Sequence, residues 1–433
     1  MQLFFKRERC FAFLKLILRL LNKMMAIPVA CAIIFVSPLI RIRFIKLFSS
    51  RIGHYSINTE IILCALDLRL EKDKRCKTFF YISSNEPICN MQLHQMWKRE
   101  IFILPFSSLI TNIDNFLLRF GGKKYKNYSI KKLQDNCEDR YNLLERIKKC
   151  HLSFTQQEEN RGKTLLEELG VLQGAPFICL LVRDSHYLNT YMPSVDWAYH
   201  SYRDADINSY QVAANYLAEQ GYYVIRMGKF VKDPFVTHHA KVIDYANSKL
   251  RSDFMDIYLS AYCFFFISTC TGLDSVARVF RKPLLVTNLV LADFDIWHPW
   301  QLFIPKKIMD LKTKKLLTLK EMHQLYFEMR PKKQIPQLMK KKELCYVDNT
   351  QEEIKDSVEE MLKRLKGVWK TTPENELLQQ VFWRDYPKYL VNEDFQRLNM
   401  PICEDIRMRV GAYFLKNNLS LLTDMDMSQV RAL

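Results

Sequence analysis

No G-x-G-x-x-G occurs in these 433 residues. A nucleotide-dependent oxidoreductase or epimerase on a Rossmann scaffold needs that fingerprint after its first strand, with an acid about twenty residues later. C-x-x-C is missing as well. The twelve cysteines are scattered, many in apolar settings such as Cys179, Cys263 and Cys270, which argues against a disulfide framework or a zinc site. Buried thiols in a reducing compartment account for them. Repeats and low-complexity tracts are absent. Among strand ends, paired acids of D-x-D type stand only at "DFD", Asp293 to Asp295, and "DAD", Asp204 to Asp206. Both read as ordinary loop acids, so no metal is expected.

Acid is nearly absent from the start of the chain. Residues 1–51 carry Lys6, Arg7, Arg9, Lys15, Arg19, Lys23, Arg41, Arg43, Lys46 and Arg51 against Glu8 alone, which is +9 of the total +17. The same segment holds "MMAIPVACAIIFVSPLI", uncharged from Met24 to Ile40 and bracketed by Lys23 and Arg41. A spanning helix needs about 20 apolar residues, and this run is shorter and contains Pro28 and Pro38. Residues 1–45 are therefore expected to be a membrane-surface or half-inserted anchor meeting anionic headgroups. Basic residues on both sides suit the cytoplasmic face. A single-pass helix is the second choice, and a cleaved signal peptide is not expected because no small-residue cleavage site follows and the basic run resumes at Arg41. With the charge concentrated here, nucleic acid is not an expected partner.

Beyond the anchor, 48% apolar residues supply core for two or three domains. "SSRIGHYSINTEIILCALDLRL" reads as a glycine bend entering a helix, "KTFFYISS" from Lys77 to Ser84 as a strand, and Ile101 to Leu104 as another. The polar, Lys-rich stretch from Gly121 to Gln157 reads as a solvated insertion, and "GKTLLEELGVL" as a helix stopped by Gly170. These make an expected first α/β domain over 46–170. In 171–370 strand and helix signals alternate. "APFICLLVRD", "YYVIRMG", "CFFFIS" and "KPLLVTN" are strands, and "NSYQVAANYLAEQG", "MDIYLSAY" and Thr350 to Gly367 are helices. Alternation of this kind predicts a parallel sheet covered on both faces. The tail, 371–433, reads as helical, including "RMRVGAYFLKNNLSLL".

Ligands of such sheets bind beyond the carboxyl ends of the strands. Arg183, Asp184, Arg226, Gly228 and Ser268 fall there. The bend "STCTGLD" after the third of these strands offers Ser268, Thr269, Thr271 and Ser275 hydroxyls around Gly272. It either cradles phosphate on backbone N–H groups or merely caps a helix. Arginine forks match the oxygens of a diphosphate. For Arg226 the alternative is an ion pair with Asp253 or Asp256. Tyr202 and Arg203 lie in the charged block after Arg183.

The blocks "RIGHYSINTE", "CLLVRDSHYL", "YHSYRDADI", "GYYVIRMGK", "IDYANSKLRSDFMDIYL" and "FFISTCTGLDSV", in that order, resemble a family of bacterial glycosyltransferases linked to surface-carbohydrate biosynthesis and, more distantly, a fucosyltransferase-like group. The resemblance runs from about Arg51 to the tail. It implies a GT-B architecture of two Rossmann-like domains facing across a cleft. The second would hold a nucleotide-diphosphate sugar, and the first a glycan or lipid-linked acceptor at the cytoplasmic face of the inner membrane. The helical tail would pack back on the first domain. Arg183 matches the position that contacts the donor diphosphate, and Cys270 stands where a small polar residue or glycine is usual. On this reading Arg183, Tyr202, Arg203, Arg226, Gly228, Ser268, Thr269, Thr271, Gly272 and Ser275 bind donor, while Arg51, Gly53 and Asn58 line the acceptor side. His54 is the expected base because its unperturbed pKa suits the cytoplasm, unless it only orients the bend. Glu60 and Asp184 are alternates. No cofactor is expected. The competing class is a non-catalytic membrane-surface nucleotide or glycan binding protein on the same fold.

Overall fold

The computed structural model describes residues 21–70, 74–84, 86–122, 125, 139, 141–191, 193–291, 300–329, 332–384 and 408–423. The expectations for residues 1–20, the middle of the Lys-rich insertion, Asp293 to Asp295 and the remainder of the tail fall outside them. The described residues form two compact units, the first within Met1–Cys137 and the second within Glu138–Asn392 and Cys403–Leu433.

The first unit opens with a helix over residues 21–36 that runs through Pro28. Its Ala26, Ala30 and Ile33 pack against Phe44, Tyr81, Ile113 and Leu117. Among the described residues no helix is long and apolar enough to cross a membrane. Strand β1 (Arg41–Leu47) pairs in parallel with β2 (Cys76–Ile82), so the boundary expected at residue 45 falls inside a strand. Only Ile103 of the strand expected at Ile101 to Leu104 pairs, as a parallel bridge to Phe80. The connection from β1 to β2 contains the helix Thr59–Asp67, preceded by a π turn over His54–Asn58.

That turn corrects the expected glycine bend. Gly53 has helical angles, φ −59° and ψ −55°, and needs no special conformational freedom. A π turn leaves main-chain carbonyls poorly matched to their usual donors. Here Tyr55 O accepts from Trp97 Nε1 at 3.0 Å and from Thr59 Oγ1 at 2.8 Å.

The second unit is built on a sheet of β3 (Phe177–Leu181), β4 (Tyr223–Arg226), β5 (Val242–Ile243), β6 (Phe266–Ser268), β7 (Leu284–Leu289) and β8 (Gln301–Pro305), completed by a strand from the tail. A two-stranded antiparallel ladder, β9 (Lys307–Asp310) with β10 (Leu344–Val347), lies apart from it. The tail strand is β11 (Arg409–Val410). All seven sheet strands are parallel, in the order β11-β8-β7-β6-β3-β4-β5. Alternate residues feed opposite faces. Cys179, Ile225, Phe266 and Val286 enter one core, and Ile178, Leu180, Val224, Ile267 and Leu285 the other. A sheet buried on both faces needs continuous apolar strands, which is why these runs stood out in the sequence.

Two boundaries differ from expectation. The helix Gln156–Glu168 belongs to the second unit, because Phe154 stacks on Phe280 and Gly162 lies so close to Tyr258 that a Cβ there would come within 2.1 Å of its ring. The described part of the tail belongs to the second unit: Leu378, Phe382, Val410 and Phe414 join its core. Its Arg409 and Val410 are strand, not helix. Gln379 covers the outer side of β11 by donating from Nε2 to Val410 O at 2.7 Å and accepting at Oε1 from Val410 N at 3.1 Å.

Candidate functional site

The chain leaves β3 in one direction through β4 and β5, then crosses back to β6, β7 and β8. This is the Rossmann strand order, and its switch point lies between β3 and β6. In folds of this order ligands bind beyond the carboxyl ends of the two strands that flank the switch point. Arg183 N donates to Thr269 Oγ1 at 2.9 Å, joining the two strand ends across the switch point.

Around that link the side chains are charged. Arg183 Nε lies 3.3 Å from Asp204 Oδ1, and Ser185 donates to the other Asp204 oxygen. Lys306, at the carboxyl end of β8 and only 3% exposed, donates from Nζ to Asp204 O and to Asp348 Oδ1, both at 2.7 Å. Arg203 donates to Cys270 O, and Tyr202 stacks on Tyr346 with centroids 5.9 Å apart. Burial raises the Asp204 carboxyl above its ordinary range, while the Ser185 hydrogen bond and the cations Arg183 and Lys306 pull it back down. Three cations from segments following β3 and β8 therefore gather at one edge of the sheet.

The bend after β6 is satisfied from within only in part, for the Thr271 hydroxyl oxygen is buried without a hydrogen-bond partner among the described residues. Asp274 Oδ2 accepts from Ser268 Oγ at 2.6 Å and from Thr271 N at 2.8 Å. Burial raises the Asp274 carboxyl, and Ser268 and Arg278 lower it. Ser268 and Ser275 are buried, and the Thr269 hydroxyl accepts from Arg183 N. The left-handed residue of the bend is Cys270, φ 60°, rather than Gly272. The Asp274 carboxylate therefore takes two of the donors expected for a phosphate, and the capping alternative is not met either, since no side chain caps the helix Asp274–Val279.

Two other expected donor ligands are committed to packing. Arg226 is 1% exposed. Its Nη1 pairs with Asp244 Oδ1 at 2.9 Å and its Nη2 donates to Asp233 O at 3.1 Å. The partner is neither Asp253 nor Asp256, which bind Arg251 instead. Gly228 has φ 155°, and a Cβ there would stand 2.5 Å from Val231 Cγ1, so it is needed for close packing rather than ligand approach. Asp184, an alternate base, accepts from the backbone N–H groups of His186 and Lys232 at 2.9 and 3.2 Å and so braces a loop.

In the first unit, His54 and Asn58 occupy the π turn, with Asn58 Nδ2 3.1 Å from His54 Nδ1. With the amide so turned, Nδ1 accepts and the neutral ring carries its proton on Nε2. Turning the amide over presents Oδ1 to Nδ1–H and leaves the Nε2 lone pair as the acceptor. Burial lowers the His54 pKa, Arg51 lowers it further and Glu86 opposes both, so the ring is neutral at pH 7. Arg51 is exposed and Gly53 buried. Glu60 is fully buried, accepting from Cys64 Sγ at 3.8 Å, a poor position for a base that must reach an acceptor.

No protein-family description matches this sequence, and no characterised protein matches it. Among solved structures, the chain is similar to E. coli ADP-heptose LPS heptosyltransferase II. Identity is 14% and TM-score 0.31, over 56% of this chain and 84% of that one. It is similar also to the glycosyl transferase family 9 protein of Veillonella parvula, at 10% identity and TM-score 0.32 over 57% and 80%. A UDP-N-acetylglucosamine 2-epimerase matches at 11% identity and TM-score 0.27 over 77% and 98%. Similarities of this size fix neither fold nor reaction.

Lys306, Asp348 and Asp274 had no place in the sequence reading, and Asp204 was read as an ordinary loop acid. A signal for Lys306 was present: "LFIP" followed by two lysines is an apolar strand ending in charge, the pattern that revealed Arg183.

Proposed function

We propose that this chain is a glycosyltransferase of GT-B architecture that moves a sugar from a nucleotide-diphosphate donor to a glycan or lipid-linked acceptor of surface-carbohydrate biosynthesis, at the cytoplasmic face of the membrane. The observation that carries this reading is the gathering of Arg183 and Lys306 on Asp204, with Arg203 on the Cys270 carbonyl, beside the switch point. In the reaction an acceptor oxygen bonds to the anomeric carbon while the bond from that carbon to the diphosphate oxygen breaks. The bonding pair leaves with the diphosphate, and the hydroxyl proton passes to a base. Fixed cations stabilise the charge that builds on the leaving group. Arg183 and Lys306 are assigned that role without a metal or cofactor. His54 is the proposed base, with Asn58 orienting its ring and Arg51 and Gly53 beside it. Tyr202 is assigned to the donor side.

The test is thermal stabilisation by UDP, GDP and ADP and their sugars, with NAD as the comparison. Binding should fall about 10- to 150-fold in Arg183→Ala and in Lys306→Ala, equivalent to about 1.5–3 kcal/mol for one charge-assisted hydrogen bond. Stabilisation by NAD alone, or by no nucleotide, overturns the proposal. Stabilisation by a nucleotide sugar without turnover of any acceptor supports a binding protein instead.

A further inference from the structure

A helix on the surface of a water-soluble unit turns its large apolar side chains inward and its charges outward. The helix over 21–36 does the reverse. The stripe packed against the first unit is small, Ala26 and Ala30 with Ile33. The outward side carries Met24, Met25, Ile27, Val29, Ile34 and Phe35, and the turn that follows adds Leu39. Phe35 is 85% exposed. Not one residue from Met24 to Ile40 is charged.

The apolar surface continues onto a second element. Asn22 Nδ2 donates to Ser108 Oγ at 3.4 Å, bringing the start of this helix to the start of the helix Ser107–Phe120. Phe106, immediately before that second helix, is 78% exposed. Its φ is 59°, a left-handed conformation that a bulky residue adopts only at a cost. The chain thus spends conformational energy to hold a phenyl ring in the solvent beside an already apolar helix.

Cations frame the face. Lys23 stands at one end and Arg41 at the other, and Arg75 donates from Nη1 to Pro38 O at 2.7 Å, anchoring its guanidinium to the turn. Residues 21–51 include no acid. Because Ala26, Ala30 and Ile33 are held in the protein core, this helix cannot be surrounded by lipid on all sides, as a spanning helix must be.

We infer that this composite face, the outer side of helix 21–36 with Phe106, lies in the plane of an anionic bilayer surface, its apolar side chains reaching about 5–10 Å into the headgroup boundary while the framing cations meet lipid phosphates. The docking is independent of the transfer reaction and holds whatever the second unit binds.

Cys31 is an exposed thiol on this helix. The full chain labelled there with a polarity-sensitive fluorophore should shift to the blue on phosphatidylcholine vesicles containing phosphatidylglycerol. It should shift less on phosphatidylcholine alone and not at all with a soluble polyanion. Unlabelled protein should float with the same vesicles, and Phe35→Glu with Leu39→Glu should weaken flotation at least about tenfold without lowering the melting temperature. Phe106→Glu should weaken it separately, and Val236→Glu, at an exposed apolar residue of the second unit, should not. Unchanged flotation in the Phe35/Leu39 variant overturns the inference. So does a wild-type dimer that ignores vesicles and becomes monomeric in that variant, since the face would then cover a second copy.

Discussion

Two arginines end neighbouring parallel strands, and truncating each should have opposite consequences. Arg226→Ala removes a guanidinium from a nearly dry site. It leaves Asp244 without its cation and the Asp233 carbonyl without its donor. Asp244 keeps two other partners, since its Oδ2 accepts from Phe235 N at 2.9 Å and Asn247 Nδ2 at 2.7 Å. The stranded carboxylate is therefore still held in place. Breaking a buried pair from one side costs about 3–5 kcal/mol. At about 2–4 °C per kcal/mol for a unit of this size, the melting temperature should fall by roughly 6–20 °C. The Asp244 side chain keeps 17% of its exposure, and water there favours the lower end of that range. Asp244→Asn is the second measurement, because it removes the charge and keeps the shape. Combined with Arg226→Met it should cost less than the sum of the two single changes. Melts with and without a saturating nucleoside diphosphate separate stability from binding, since a bound ligand adds an increment set by its concentration over its Kd. That increment should survive in Arg226→Ala and shrink by about 1.5–3 kcal/mol in Arg183→Ala. An Arg226→Ala protein melting within about 1 °C of the parent but without the ligand increment would place Arg226 in the donor site and refute this reasoning.

Further tests follow from the same geometry. His54→Ala should lower turnover by about 10² to 10⁴ with donor affinity nearly unchanged, and normal turnover removes it from the reaction. Because the folded protein depresses the His54 pKa below its unfolded value near 6.5, the unfolded chain binds the proton more readily in that interval. Stability should therefore fall as pH drops below about 6.5 and level off beneath the folded pKa, and His54→Gln should reduce that slope in urea melts, the remainder including His94, whose pKa burial also lowers. Gly228→Ala should destabilise by about 1–3 kcal/mol, since it adds both a clash with Val231 and a positive φ. A neutral result in urea unfolding would show that the loop yields.

Much of the second unit was legible because buried parallel strands are apolar from end to end. "YVIR" and "FIS" each stop at a polar residue at the carboxyl edge, and "FICLL" runs on through Val182 to Arg183. The ion pairs were not legible. Arg226 finds Asp244 just beyond the neighbouring strand β5, and Lys306 reaches Asp204 across 102 positions of sequence. Such choices are made by packing, so the nearby acids Asp253 and Asp256 were natural but mistaken candidates. Gly53 and Gly272 misled for a related reason. Glycine permits a positive φ without requiring one, and in the phosphate-like bend the strain fell on Cys270. The π turn had no signature at all, for a single inserted residue leaves the apolar spacing of the helix behind it intact.

The pairing of Gln379 with Val410 has a consequence for association. A strand at the rim of a sheet normally offers an unfilled row of donors and acceptors to any passing chain. Here a side-chain amide imitates the next strand for one residue and ends the lattice with nothing for another polypeptide to join. Removing residues 408–423 would expose the flank of β8 at Leu302 and Phe303, apolar and open. The shortened protein, having lost Val410 and Phe414 from its core as well, would gather into aggregates through that rim, three strands away from β3.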